Sequence, residues 1–181
     1  FTSTTANVSD EGRLPEQFSS TYLSANAFKV MRQRPALGRD FLPEDDRPGA
    51  AAVVLIGHGM WQNRYGSDPN VVGRTIRVND IPSVVIGVMP EGFKFPQNAD
   101  LWQPAALISG LEQQKRNARG LSAFGRLVPG ATRDQAQGEL INVGRKLAAD
   151  YPDTNKDVQP KVQTFNEFMN GGPIRVVFLS L

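Results

Sequence analysis

Hydrophobic and polar positions along this chain change period several times, and each change marks an element. Val53-Val54-Leu55-Ile56 is a run without a polar residue, the pattern of a strand buried on both faces. Arg74–Val78 and Ser83–Met89 alternate instead. Ile76 and Val78 share one face, and Val84, Ile86 and Val88 share another. Asn79-Asp80 tolerates the positive φ of a tight turn, so the two segments predict a hairpin. Gln17–Leu23, rich in Ser, Thr and aromatics, predicts a further strand, and Thr2–Val8 another.

Helical spacing appears in three places. Ser24 can cap a short helix to about Arg32, with Ala27, Phe28 and Met31 on one face and Pro35 ending it. A second helix runs from about Met60 to Tyr65. The third is marked most fully. Thr132 and Gln135 form a capping box, Asp134 suits the first turn, and Ala136, Leu140, Val143 and Leu147 recur at helical spacing before Pro152. Alternating segments flank it at Leu121–Val128 and Val158–Phe165. Strand, helix and strand in that order predict parallel pairing through a right-handed crossover. The acidic Pro/Gly stretch from Pro43 to Gly49 reads as a solvated loop, and the polar stretch Leu111–Gly120 as a solvated loop or helix.

Composition narrows the function classes. Lys and Arg number 20 against 18 Asp and Glu, a net charge of +2, and no basic cluster stands out to track phosphates. Nucleic acid is therefore not an expected partner. The chain has no cysteine, which removes disulfides, thiolate metal sites and a cysteine nucleophile. The single histidine, His58, has neither a second His nor a Cys to join it on a metal. Gly57-His58-Gly59 lacks the third glycine of a dinucleotide loop and the lysine of a P-loop, and no Gly-x-Ser-x-Gly nucleophile elbow exists. Glu44-Asp45-Asp46 lacks the alternating ligands of a calcium loop, and Trp61 and Trp102 read as core anchors. The expectation is a non-enzymatic domain with no catalytic, cofactor-binding or metal-binding residue.

The ends bear on context. The chain opens on Phe1, not Met, which predicts a piece of a longer protein. The apolar stretch Val176–Leu181 reads either as a last buried element or as the start of a membrane helix.

Several blocks, in order, resemble one family. They are Ser24-x-x-x-Phe28, Pro35-Ala36-Leu37-Gly38-Arg39-Asp40-Phe41, Val53–His58 and Met60-Trp61-Gln62-Asn63-Arg64-Tyr65-Gly66. Asp68–Ile76, Val85-Ile86-Gly87-Val88-Met89-Pro90 with Phe93-x-Phe95-Pro96, and Asp100-Leu101-Trp102-x-Pro104 follow. Gly125-Arg126-Leu127-x-Pro129-Gly130 and Ala148-x-x-Tyr151-Pro152 close the series. Together they are similar to MacB-like periplasmic core domains of ABC-transporter permeases (MacB/FtsX type).

The resemblance implies a mixed α+β or α/β fold, a porter-like strand–helix–strand subdomain with a second mixed subdomain inserted into it. Residues 1–38 and 119–175 would form the first, 39–118 the insert, and 176–181 the start of a truncated transmembrane helix. It also implies a non-catalytic body on the periplasmic side of the inner membrane, with ATP hydrolysis in a separate cytoplasmic ATPase. The implied partners are the permease's own transmembrane helices, a second permease copy, that ATPase and a periplasmic adaptor. Two alternatives stay open at this point: a periplasmic ligand- or lipoprotein-binding module, and a soluble hydrolase built around His58.

Overall fold

The computed structural model describes residues 1–169. Seven strands carry the first part of the chain: β1 (Thr2–Asp10), β2 (Arg13–Leu23), β3 (Leu37–Gly38), β4 (Val53–Ile56), β5 (Thr75–Val78), β6 (Ile81–Val88) and β7 (Leu101–Pro104). The helices are α1 (Ala27–Met31), α2 (His58–Tyr65), α3 (Arg133–Asp150), α4 (Pro152–Asn155) and α5 (Phe165–Met169). The fold is mixed α/β, as the patterning implied. No helix among the described residues is long and apolar enough to cross a membrane. The expected membrane-helix start at 176–181 lies outside the described residues.

The strands follow the order β3-β6-β4-β7-β2-β1-β5, and β5 also pairs with β6. That last pairing closes six of the strands into a ring and leaves β3 as an addition on β6. Closure removes most of the free sheet edge. The predicted hairpin is β5–β6, with Asn79 at φ 49° and Asp80 at φ 65°. The Asn79 N–H also donates to the Asn7 carbonyl at 2.8 Å, stitching the turn to β1.

The ring's inward residues make one core: Ala6 and Val8 from β1, Val54 and Ile56 from β4, Ile76 and Val78 from β5, Val85 and Val88 from β6, and Leu101 from β7. Met60 and Tyr65 of α2 plug it. The apolar run of β4 is buried on both faces because its other residues, Val53 and Leu55, join a second core with Leu23, Phe28, Phe41, Ile86 and Trp102. Phe28 and Phe93 pack on the Trp102 ring at centroid distances of 6.2 and 5.2 Å. Phe1, Phe95 and Phe124 form a half-buried triad at 5.0–5.8 Å.

Two motif glycines are explained by backbone approach. β3 pairs with β6 at Leu37↔Val88 and Gly38↔Gly87. A Cβ on Gly38 would lie 2.1 Å from the Ile86 carbonyl oxygen, and one on Gly87 would lie 2.6 Å from the Leu37 carbonyl oxygen. The Leu37-Gly38 and Ile86-Gly87 blocks therefore meet as a glycine-on-glycine crossing.

The chain divides into two compact units. One is Phe1–Gln114 with Arg119–Gly125, and the other is Lys115–Ala118 with the described residues from Arg126 onward. Strands from 1–38 and from 39–118 share one ring, because β2 pairs with β7, β1 with β5 and β3 with β6.

In the second unit α3 starts where the capping box placed it. The Thr132 hydroxyl accepts from the Gln135 N–H at 3.2 Å, and the Gln135 side chain accepts from the Thr132 N–H at 2.8 Å. Thr132→Ala is expected to destabilise this helix by about 1 kcal/mol, read as a drop in the unit's unfolding midpoint. The alternating segments at Leu121–Val128 and Val158–Phe165 are not strands. A strand needs a continuous ladder of backbone partners, and neither segment forms one. Ser122 exchanges two backbone hydrogen bonds with Phe1, at 2.5 and 2.8 Å. The Gln137 side chain of α3 donates to the Pro160 carbonyl and accepts from the Val162 N–H, at 2.9 and 2.7 Å. Gly144 gives Pro160 room against the same helix, since a Cβ there would lie 2.8 Å from the proline ring.

Candidate functional site

The strongest concentration of charge lies at the closed end of the β1–β2 hairpin. α2 carries Met60 and Arg64 one turn apart on its buried face, so the Arg64 guanidinium is delivered into the protein. Its side chain is 6% exposed. It donates to Asp10 Oδ1 at 2.5 Å and to Glu16 Oε2 at 2.8 Å, and reaches the carbonyls of Val8 and Leu14 at 3.4 Å. Asp10 is 1% exposed, and its second oxygen lies 3.8 Å from the Arg74 guanidinium. Arg13 donates to the Arg64 carbonyl. The guanidiniums of Arg13 and Arg74 stand 5.7 and 5.6 Å from the Tyr65 ring centre. Burial, and then the Asp10 carboxylate, raise the Tyr65 phenol above its ordinary value. Buried charges persist when they are paired. Asp10 and Arg64 pair across β1 and α2, while Asp10 Oδ2, Arg64 Nε and the Tyr65 hydroxyl are buried without a hydrogen-bond partner among the described residues.

The candidates singled out from sequence are all placed, and they do not converge. His58 is half-buried at the start of α2, with its ring edge-on to Trp61 at 5.4 Å. Trp61 Nε1 donates to the Asp68 carbonyl at 2.8 Å, and Trp102, fully buried, donates from Nε1 to the Phe95 carbonyl at 2.7 Å. Both indoles act as anchors.

The acidic loop is tied internally. Asp45 holds Arg39 through two bonds, at 2.5 and 3.1 Å, and accepts from the Leu42 N–H at 2.7 Å. Burial pushes the Asp45 carboxyl up, but Arg39 and the Leu42 N–H outweigh it and hold it below its ordinary value. Asp46 accepts from the N–H groups of Ala25 and Ala106, at 2.9 and 2.8 Å. No group of three or more potential metal ligands occurs among the described residues.

One surface cavity of about 500 Å³ opens in the first unit, lined by Ser24, Asn26, Lys29, Asp40, Phe41 and Asp46 among others. Burial pushes the Asp40 carboxyl up, against the Phe41 N–H and Arg39. The named lining residues comprise one ammonium, two carboxylates and a single hydroxyl, with no imidazole or thiol to activate it.

Sequence reasoning named Arg64 only inside the Met60–Gly66 block and missed its role. Its partners Asp10 and Glu16 lie 54 and 48 residues away. The available signal was an arginine one helical turn after Met60, on the face that should be apolar.

The family model for the MacB-like periplasmic core domain matches residues 2–143. The chain is 30% identical over 86 residues to the macrolide export ATP-binding/permease protein MacB of Burkholderia thailandensis, covering 46% of this chain and 13% of that protein. It is 31% identical over 74 residues to the pyoverdine export ATP-binding/permease protein PvdT of Pseudomonas syringae pv. syringae, covering 40% of this chain and 11% of that protein. Among solved structures, the periplasmic region of MacB from Actinobacillus actinomycetemcomitans superposes with a TM-score of 0.60 at 17% identity, over 85% of this chain and 66% of that one. The extracellular domain of the noncanonical ABC-type transporter YknZ from Gram-positive bacteria gives 0.59 at 14% identity, over 85% and 75%. At such identities these two show the shared fold.

Proposed function

Because this chain belongs to the family of MacB-like periplasmic core domains, we propose that it serves as the extracytoplasmic, non-catalytic body of an ABC-transporter permease. On this reading a cytoplasmic ATPase moves the permease's transmembrane helices. Two copies of the domain, carried on two permeases, convert that movement into export or into work on a periplasmic partner such as an adaptor protein.

The observation that carries the reading is the family match over residues 2–143. The physics of the first unit agrees with it. A closed ring with two packed cores moves as a rigid body, because close-packed interiors transmit displacement instead of absorbing it. Residues of the blocks that resemble the family serve that rigidity. Gly38 and Gly87 allow the β3–β6 crossing, and Trp102 fills the second core.

The test uses the full-length permease with its ATPase. Replacing the extracytoplasmic domain by a short linker is expected to leave ATP hydrolysis in place and abolish export from reconstituted vesicles. Export at the original rate after the replacement would sink the proposal. His58→Ala is expected to leave both rates unchanged, and loss of export there would return the hydrolase reading.

A further inference from the structure

The cavity beside α1 plays no part in the export reading. We infer that it binds a small zwitterion of dipeptide size, whose ammonium meets Asp40, whose carboxylate meets Lys29, and whose apolar body lies against Phe41 and Pro43. Such binding would hold whether or not the domain drives export.

The walls are tied in place by the fold. One is the start of α1, from Ser24 to Lys29, and the other is the loop that follows β3, from Asp40 to Asp46. Asp46 joins them, since its two oxygens accept from the N–H groups of Ala25 and Ala106 at 2.9 and 2.8 Å. Within the loop, Asp45 holds Arg39 and the Leu42 N–H. Phe41 is anchored in the second core, its ring centre 5.7 Å from that of Phe28. A ligand would therefore meet walls that need little ordering, which removes one of the main costs of binding. At about 500 Å³ the cavity lies within the range of small-molecule sites, roughly 300–1,000 Å³.

Charge decides the ligand class. Asp46 is satisfied by its two backbone donors, and two other charges on the lining are left over. The Lys29 ammonium makes no hydrogen bond or ion pair among the described residues. Asp40 accepts from the Phe41 N–H through one oxygen at 2.6 Å, and its other oxygen has no partner among the described residues. Burial pushes this carboxyl up, so a cation beside it would favour its charged form. A simple cation would be opposed by Lys29 and a simple anion by Asp40. A ligand that carries both charges meets a partner for each. Ala25, Phe41 and Pro43 supply the apolar part of the lining. A metal ion is a poor occupant, since no group of three or more potential ligands occurs among the described residues.

Equilibrium dialysis of radiolabelled alanyl-leucine against the full-length protein in detergent tests the site. Two modified peptides separate the charges: N-acetyl-alanyl-leucine lacks the cation, and alanyl-leucine amide lacks the anion. Saturable binding of the dipeptide is expected at about 1 mM or tighter, the range open to a ligand of that size. Each modified peptide should bind about tenfold more weakly or worse, the usual loss when a hydrogen bond between charged groups is removed. Asp40→Asn, which keeps an acceptor for the Phe41 N–H, should weaken the dipeptide about tenfold and leave the N-acetyl form unchanged. Lys29→Met should weaken the dipeptide to a similar degree and leave the amide form unchanged. A merely structural role for either residue would weaken all three peptides alike.

No saturable binding of the dipeptide up to about 10 mM, equal binding of the three peptides, or an unchanged dipeptide affinity in either variant would overturn the inference. Should a variant unfold, seen as a fall in its unfolding midpoint, the comparison of the three peptides on the unmodified protein decides alone. Binding is read without export, so the two outcomes are separable. Export that survives replacement of the domain sinks only the export reading, and equal binding of the three peptides sinks only the zwitterion site.

Discussion

Asp10→Ala is expected to lower the unfolding free energy of the first unit by about 3–5 kcal/mol, the cost of stranding a buried guanidinium without its partner. The Asp10 and Arg64 side chains are 1% and 6% exposed, so solvent cannot replace the lost carboxylate. The remaining carboxylate, Glu16, is a weak substitute because its side chain is 57% exposed. Glu16→Ala should accordingly cost about 1 kcal/mol or less, the usual range for a solvated ion pair. Urea unfolding followed by the fluorescence of buried Trp102 measures both. A loss for Asp10→Ala no larger than for Glu16→Ala would show that Arg64 is not held as described. The cluster also makes a sharper statement. Paired replacement by apolar residues, Asp10→Leu with Arg64→Met, should recover part of the loss, because removing both charges leaves none stranded.

Gly38→Ala should be nearly as damaging, at about 3 kcal/mol or more, for a reason of backbone geometry. Gly38 sits at φ 75°, which L-residues adopt at a cost, and its Cβ would stand 2.1 Å from the Ile86 carbonyl oxygen and 2.8 Å from Gly87 Cα. Neither atom belongs to a flexible side chain, so β3 would have to leave β6. Gly49 provides the control. It has φ 79° but nothing within 4 Å of its Cβ position, so Gly49→Ala should cost only the strain, about 1 kcal/mol. Equal losses at the two positions would mean that the close approach contributes nothing.

These two sites differ in how far the sequence exposes them. Leu37-Gly38 and Ile86-Gly87 both stand inside blocks recognised from the sequence, but nothing in either block says that one glycine faces the other. Asp10 and Arg64 carried no local mark as a pair. Patterning did better where the cause of structure is local. The Asn79-Asp80 turn and the Thr132–Gln135 capping box were both read at their observed positions, since each depends on atoms within a few residues. It went astray at Leu121–Val128 and Val158–Phe165. Alternation there is genuine, but a strand is a ladder between two segments. At Leu121–Val128 no ladder builds beyond the isolated Ser122–Phe1 pair, and at Val158–Phe165 the groups of Pro160 and Val162 go to the Gln137 side chain.

The Ser24 cap expected for the first helix falls to Asn26, without a side-chain hydrogen bond. Elsewhere local pattern was enough for most of the short elements, for the Asn79-Asp80 turn and the α3 cap, and, through the ordered blocks, for the family. Those follow from steric and hydrogen-bonding preferences that act over a few residues, and from residue types that can be read one by one. Long-range packing was needed to show that β5 closes the ring on β6, that strands from 1–38 and 39–118 share that ring, and that Arg64 clamps the β1–β2 hairpin. Each of these joins residues far apart in the chain, where chain connectivity sets no distance and packing alone selects the partner.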